Sequence, residues 1–73
     1  MLEQRLYDKI HEQGRTQAAL ARMLHPPVTR AAFHQMMTGY RGRRFNENYR
    51  FQLAVILGEL VSELFPEAED KPE

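Results

Sequence analysis

Glycine and proline punctuation constrains this chain more than any other feature. Gly14, Pro26-Pro27, Gly39, Gly58 and Pro66 cut it into segments too short for anything but brief elements. Within the segments apolar residues recur at helical spacing, and no run alternates as a strand would. Leu2, Leu6 and Ile10 repeat every four residues with Tyr7 beside them, which predicts a helix over residues 2–13 ended by Gly14. Thr16 is placed to cap a second helix, whose buried face is marked by Leu20 and Leu24. Ala21 there is small enough for another helix to cross closely. Pro26-Pro27 must stop that helix, because proline disfavours α geometry in the residue before it.

Thr29 then predicts a third helix from Arg30 to Thr38, with Gly39 as its stop. Val28, Phe33, Met36 and Met37 supply its apolar contacts. The stretch from Tyr40 to Phe45 has no helical period and reads as a loop. Asn46 is placed to cap a fourth helix with Phe51, Leu53, Ala54 and Leu57 towards the core and Gly58 as its end. Val61, Leu64 and Phe65 predict a short last helix stopped by Pro66. The expectation is an all-α, compact five-helix domain over residues 1–66, followed by a flexible acidic tail over residues 67–73.

Composition removes whole classes of function. The chain has 73 residues and no cysteine, which excludes disulfides, Cys-ligated zinc and thiol chemistry. The longest apolar run, Leu53 to Leu57, is far short of the roughly 20 residues of a membrane span. No apolar leader core follows Met1, so the expected compartment is the cytoplasm. A core this small supports a binding module better than an enzymatic cleft. His11, His25 and His34 lack metal-ligand spacing. Ser62 lacks triad partners, and the glycines lack the context of a phosphate loop. No enzyme activity, cofactor, metal or small-molecule ligand is expected.

The charge is balanced in sum, 10 basic against 10 acidic residues, but not in position. Residues 15–50 hold seven arginines and one acid, Glu47, so 7 minus 1 gives +6. The last seven residues hold Glu67, Glu69, Asp70 and Glu73 against Lys71, so 1 minus 4 gives −3. Clustered arginine suits phosphate forks and guanine edges. The two short helices around Pro26-Pro27 read either as plain helical packing or, more sharply, as a DNA-binding helix-turn-helix, whose demands they meet. Leu24 can meet Val28 and Phe33, Ala21 gives close approach, and the outer positions of the third helix are polar or small.

Here the sequence resembles the lambda-repressor and Cro-like helix-turn-helix family. Thr16-Gln17-Ala18-Ala19-Leu20-Ala21-Arg22-Met23-Leu24 is similar to its Thr-Gln-x-x-Leu-Ala-x-x-Leu second helix. Val28 to Gly39 is similar to its Val-Ser-x-x-x-Val-Ser-x-Ile-x-x-Gly third helix. Leu53-Ala54-Val55-Ile56-Leu57-Gly58 and Glu63-Leu64-Phe65 resemble its ending. Within the family, residues 39–44 and 63–66 look most like the Ner-like regulators of Mu-type phages. Two departures stand out: His25-Pro26-Pro27 makes the turn two residues longer, and Leu60 replaces the usual Ser or Thr cap of the last helix.

The resemblance implies a sequence-specific regulator of duplex DNA, a phage or prophage repressor. Alternatives on the same fold are a protein-interaction module that inhibits a host factor, or an antitoxin-type regulator. Base-reading residues would be Arg30, Ala31, His34 and Gln35. Arg30 would fork onto guanine or hold a phosphate, and Ala31 would lie against a thymine methyl. Gln35 has the geometry for adenine. Backbone contacts would come from Thr16, Gln17, Thr29, Tyr40, Arg41, Arg43 and Arg44, with Arg22 and Arg50 as weaker candidates. Leu60, Val61, Leu64 and Phe65 form an apolar cluster. Part of it would close the core, and the rest would form a homodimer interface across a twofold axis.

Overall fold

A computed structural model describes residues 3–66 of the chain. The expected tail, 67–73, and Leu2 lie outside the described residues. Five α-helices follow one another: α1 (Gln4–Glu12), α2 (Gln17–Met23), α3 (Arg30–Thr38), α4 (Glu47–Leu57) and α5 (Val61–Leu64). A 3₁₀ turn, Tyr40–Gly42, lies in the segment expected to be a loop. There is no strand among the described residues.

The starts of the helices are set locally. The hydroxyl of Thr16 accepts from the Ala19 N–H at 3.1 Å, and that of Thr29 accepts from the Ala32 N–H at 3.0 Å. The Asn46 side chain accepts from the Tyr49 N–H at 2.7 Å. Each satisfies one of the amide groups that a helix start leaves unpaired. Leu60 begins α5 with no side-chain cap, as expected of an apolar side chain. Gly39 ends α3 at φ +77°, in the left-handed region that glycine enters without a Cβ clash.

One core unites the helices. Leu6 and Ile10 of α1, Leu20, Ala21 and Leu24 at α2, and Phe33 and Met37 of α3 are buried. So are Leu53, Ala54 and Leu57 of α4 and Leu64 and Phe65 at the end. Phe45, expected in a loop, is 2% exposed at the centre of an aromatic row. Its ring centroid is 5.1 Å from that of Phe33 and 5.9 Å from that of Phe65, both edge to face, the favoured geometry for ring quadrupoles.

Phe51 is a correction: expected in the core, it is 61% exposed. At 100° per residue it lies about 110° from the centre of the Leu53, Ala54 and Leu57 stripe. Arg50 occupies the stripe in its place, half-buried, and its guanidinium donates to the Phe45 carbonyl. The signal for Phe45 was its position immediately before the Asn46 cap, where an apolar residue commonly folds back onto the helix it precedes.

Polar links tie the ends of the elements together. The Gln13 amide donates to the Leu57 carbonyl at 2.7 Å, and Arg15 donates to the Ile56 carbonyl at 3.4 Å. Both satisfy carbonyls that the last turn of α4 leaves open. Lys9 pairs with Glu12 at 2.7 Å and with Glu59 at 3.0 Å, joining α1 to the link before α5. These hydrogen bonds, to Glu12 first and Glu59 second, raise the Lys9 pKa above its ordinary 10.5.

Candidate nucleic-acid interface

Helix α3 has two unlike faces. Phe33 and Met37, four residues apart, are buried with no measurable exposure. Ala31 and His34 are exposed away from that pair and Gln35 is half-buried, while Arg30, which shares the buried pair's stripe by spacing, is exposed because it opens the helix. The spacing of 31, 34 and 35 places those three on adjoining positions of the outer surface, with Arg30 beside them at the start of the helix. The buried pair therefore fixes the rotation of α3, and that rotation decides which residues face outward. Thr38 closes the last turn, its hydroxyl donating to the His34 carbonyl at 3.0 Å.

The segment joining α2 to α3 is held from the side by α4. The Val28 N–H donates to the Ala21 carbonyl at 3.1 Å, fastening the turn to α2. The His25 N–H donates to Gln52 Oε1 at 2.8 Å, and Gln52 Nε2 donates to the His25 carbonyl at 2.9 Å. The Tyr49 hydroxyl donates to the Pro26 carbonyl at 2.7 Å. The peptide bond between His25 and Pro26 is cis. The longer turn is thus a supported element, and the residues that support it were not among those singled out by sequence.

The arginine-rich segment emerges from the far end of α3. The Gly42 N–H donates to the Gly39 carbonyl and the Arg43 N–H to the Tyr40 carbonyl, both at 3.0 Å. Arg41 adopts φ +54°, and its guanidinium stacks 5.3 Å from the centroid of the Tyr40 ring. Tyr40, Arg41, Arg43 and Arg44 are all exposed. The Glu3 N–H donates to the Met37 carbonyl at 2.8 Å, and the Glu3 carboxylate lies 3.9 Å from Arg44. The start of α1 therefore buttresses the turn. Cations beside a helix C-terminus are favourable in their own right.

Of the remaining expected residues, Thr16 and Thr29 are exposed at the starts of α2 and α3, and Gln17 is half-buried. Gln17 and His34 meet: Oε1 of one lies 3.2 Å from Nδ1 of the other. The arginines divide by task. Arg15 and Arg50 serve the ends of α4, while Arg22, Arg30, Arg41 and Arg43 are exposed. The groove between α1 and α5 has the opposite character: Asp8, Glu12, Glu59 and Glu63 line it against Arg5 and Lys9.

The expected dimer cluster is split by the fold. Leu64 and Phe65 are buried within the single chain, which removes them from any outer surface. Leu60 is 67% exposed and Val61 is half-buried against the core. A second apolar surface was not foreseen. Met23, Phe51 and Val55, with His25, Gln52 and Ile56, line a shallow groove on the outside of α2 and α4.

The three histidines lie on different elements, and among the described residues no group of three or more His, Asp or Glu is arranged to hold a metal ion. No described helix is long and apolar enough to cross a membrane. Compared with known proteins, the chain matches no family model, no curated protein and no solved structure.

Proposed function

We propose that this chain is a sequence-specific regulator of duplex DNA, with α2 and α3 forming a lambda-repressor-like helix-turn-helix. The observation that carries the reading is α3. Its apolar side locks into the core, its outer side offers Ala31, His34 and Gln35 with Arg30 at its start, and exposed arginines follow its C-terminal end. A nine-residue helix is about 14 Å long, close to the roughly 12 Å width of the DNA major groove. Arg30 at one end and Arg41, Arg43 and Arg44 at the other suit contact with phosphates along the groove edges. The acidic groove at α1 and α5 belongs on a surface turned away from phosphate.

The mode of action we infer is the one the family resemblance implies. The domain binds promoters and blocks RNA polymerase as a repressor in the bacterial cytoplasm. It acts as a homodimer at least on DNA, since paired half-sites about one helical turn apart give this fold its affinity. The test is selection from a random duplex library at low and near-physiological salt. An enriched motif that persists at the higher salt supports the reading, and a palindrome supports the dimer. Binding that vanishes with salt and leaves no motif overturns it.

The groove at Met23, Phe51 and Val55 favours one second reading, a protein-interaction module. Charge reversal at Arg43 and Arg44 separates the two. It abolishes DNA binding but leaves an apolar grip at α4 intact.

A further inference from the structure

Gln17 opens α2, and His34 lies one turn beyond Arg30 on the outer side of α3. The contact between them, 3.2 Å from Gln17 Oε1 to His34 Nδ1, determines the chemistry of the imidazole. An amide oxygen only accepts, so Nδ1 must carry the hydrogen and donate it. A neutral imidazole has one N–H, so Nε2, across the ring, is left as an acceptor. His34 is exposed, so that acceptor is open to a partner.

We propose that Gln17 is a positioning residue that holds His34 in its Nδ1–H form, so that Nε2 of His34 selects a base bearing an amino group. This rests on the DNA-binding reading above. In the major groove the amino donors are N6 of adenine and N4 of cytosine, whereas guanine and thymine present O6 and O4 acceptors. An acceptor at Nε2 bonds the first pair and is repelled by the second. The position facing His34 therefore takes adenine or cytosine on the strand it faces. Without Gln17 the ring exchanges its proton between the two nitrogens. Nε2 then donates as readily as it accepts, and the selectivity disappears.

The experiment is library selection with the wild-type chain, His34→Ala, Gln17→Leu and Gln17→Glu. The buffer is held near pH 8, above the ordinary titration range of imidazoles. Preference at each base position is read relative to the others, so a uniform change in affinity drops out. The wild type is expected to show one position favouring adenine or cytosine over guanine or thymine by about fivefold, the scale of one hydrogen bond. His34→Ala flattens that position, and Gln17→Leu flattens the same one. Gln17→Glu preserves it, because a carboxylate also accepts from Nδ1. A His34-dependent position that prefers guanine or thymine, or that ignores Gln17→Leu, overturns this inference and leaves DNA binding standing. No enriched motif with the wild type overturns both.

Discussion

Gln52 pairs with both backbone groups of His25, accepting from its N–H at 2.8 Å and donating to its carbonyl at 2.9 Å. With the Tyr49 hydroxyl on the Pro26 carbonyl, α4 holds the turn that leads into α3. Gln52→Ala removes two hydrogen bonds at a partly solvated site, a loss of about 1 kcal/mol. The expected fall in melting midpoint is roughly 4–8 °C for a domain of this size. Because the turn aims α3, the same variant is expected to lose DNA selectivity beyond its loss of stability. Thermal denaturation and library selection check the two effects separately.

Phe45 carries more of the core than its place in an arginine-rich loop suggests. Its ring is buried between Phe33 and Phe65. Phe45→Ala should cost about 3–5 kcal/mol in lost burial and cavity formation. That approaches the whole stability expected of so small a core, so the variant should be largely unfolded by circular dichroism at 37 °C. Phe45→Leu should remain folded with a lowered urea midpoint. A near-wild-type midpoint for Phe45→Ala would contradict the packing.

Gln35 and Arg43 are expected to fail in different ways. Gln35→Ala should relax preference at one base position. Arg43→Ala should weaken binding to all sequences alike and reduce the salt slope by about one counterion. Titrations against matched and mismatched duplexes at several salt concentrations distinguish the patterns. Identical changes in preference would refute the division of labour between α3 and the turn.

Phe51 and Val55 are 61% and 64% exposed, so polar replacement there should not disturb folding. Phe51→Ser is expected to stay within about 0.5 kcal/mol of wild type in urea denaturation. It should also weaken self-association in sedimentation if copies meet at α4. Leu60→Ser tests the α5 side in the same way. A large loss of stability in Phe51→Ser would return that ring to the core.

Lys9 links α1 to Glu59, and its pKa is raised, mainly by Glu12 and then by Glu59. A raised lysine stabilises the fold below its unfolded value near 10.5, and that contribution is lost as pH rises through the folded value. The difference in urea midpoint between wild type and Lys9→Met should therefore be steady through neutral pH. It should shrink only above about pH 10.5, the ordinary lysine range. A gap that closes near pH 7 would assign it to another group.

Much of the architecture is written in local chemistry, and the cap residues show why. Thr16, Thr29 and Asn46 each bond an amide three residues on, and Gly39 and Gly58 turn left-handed where the helices stop. These events need no distant partner, so the order of the helices and the starts of α2, α3 and α4 follow from the sequence alone, whereas α1, expected over 2–13 and without a side-chain cap, runs from Gln4 to Glu12. The amphipathic split of α3, with Phe33 and Met37 inward and Ala31 and His34 outward, is equally a matter of spacing. What only the tertiary structure decided involves residues far apart in the chain. That the Phe45 ring lies between Phe33 and Phe65 depended on three separate segments of the chain meeting in the core. The clamp from Gln52 to His25 spans 27 positions, and the contact from Gln17 to His34 spans 17. No periodicity encodes such pairs. They exist because the core, once packed, fixes the helices closely enough for polar side chains on different elements to meet.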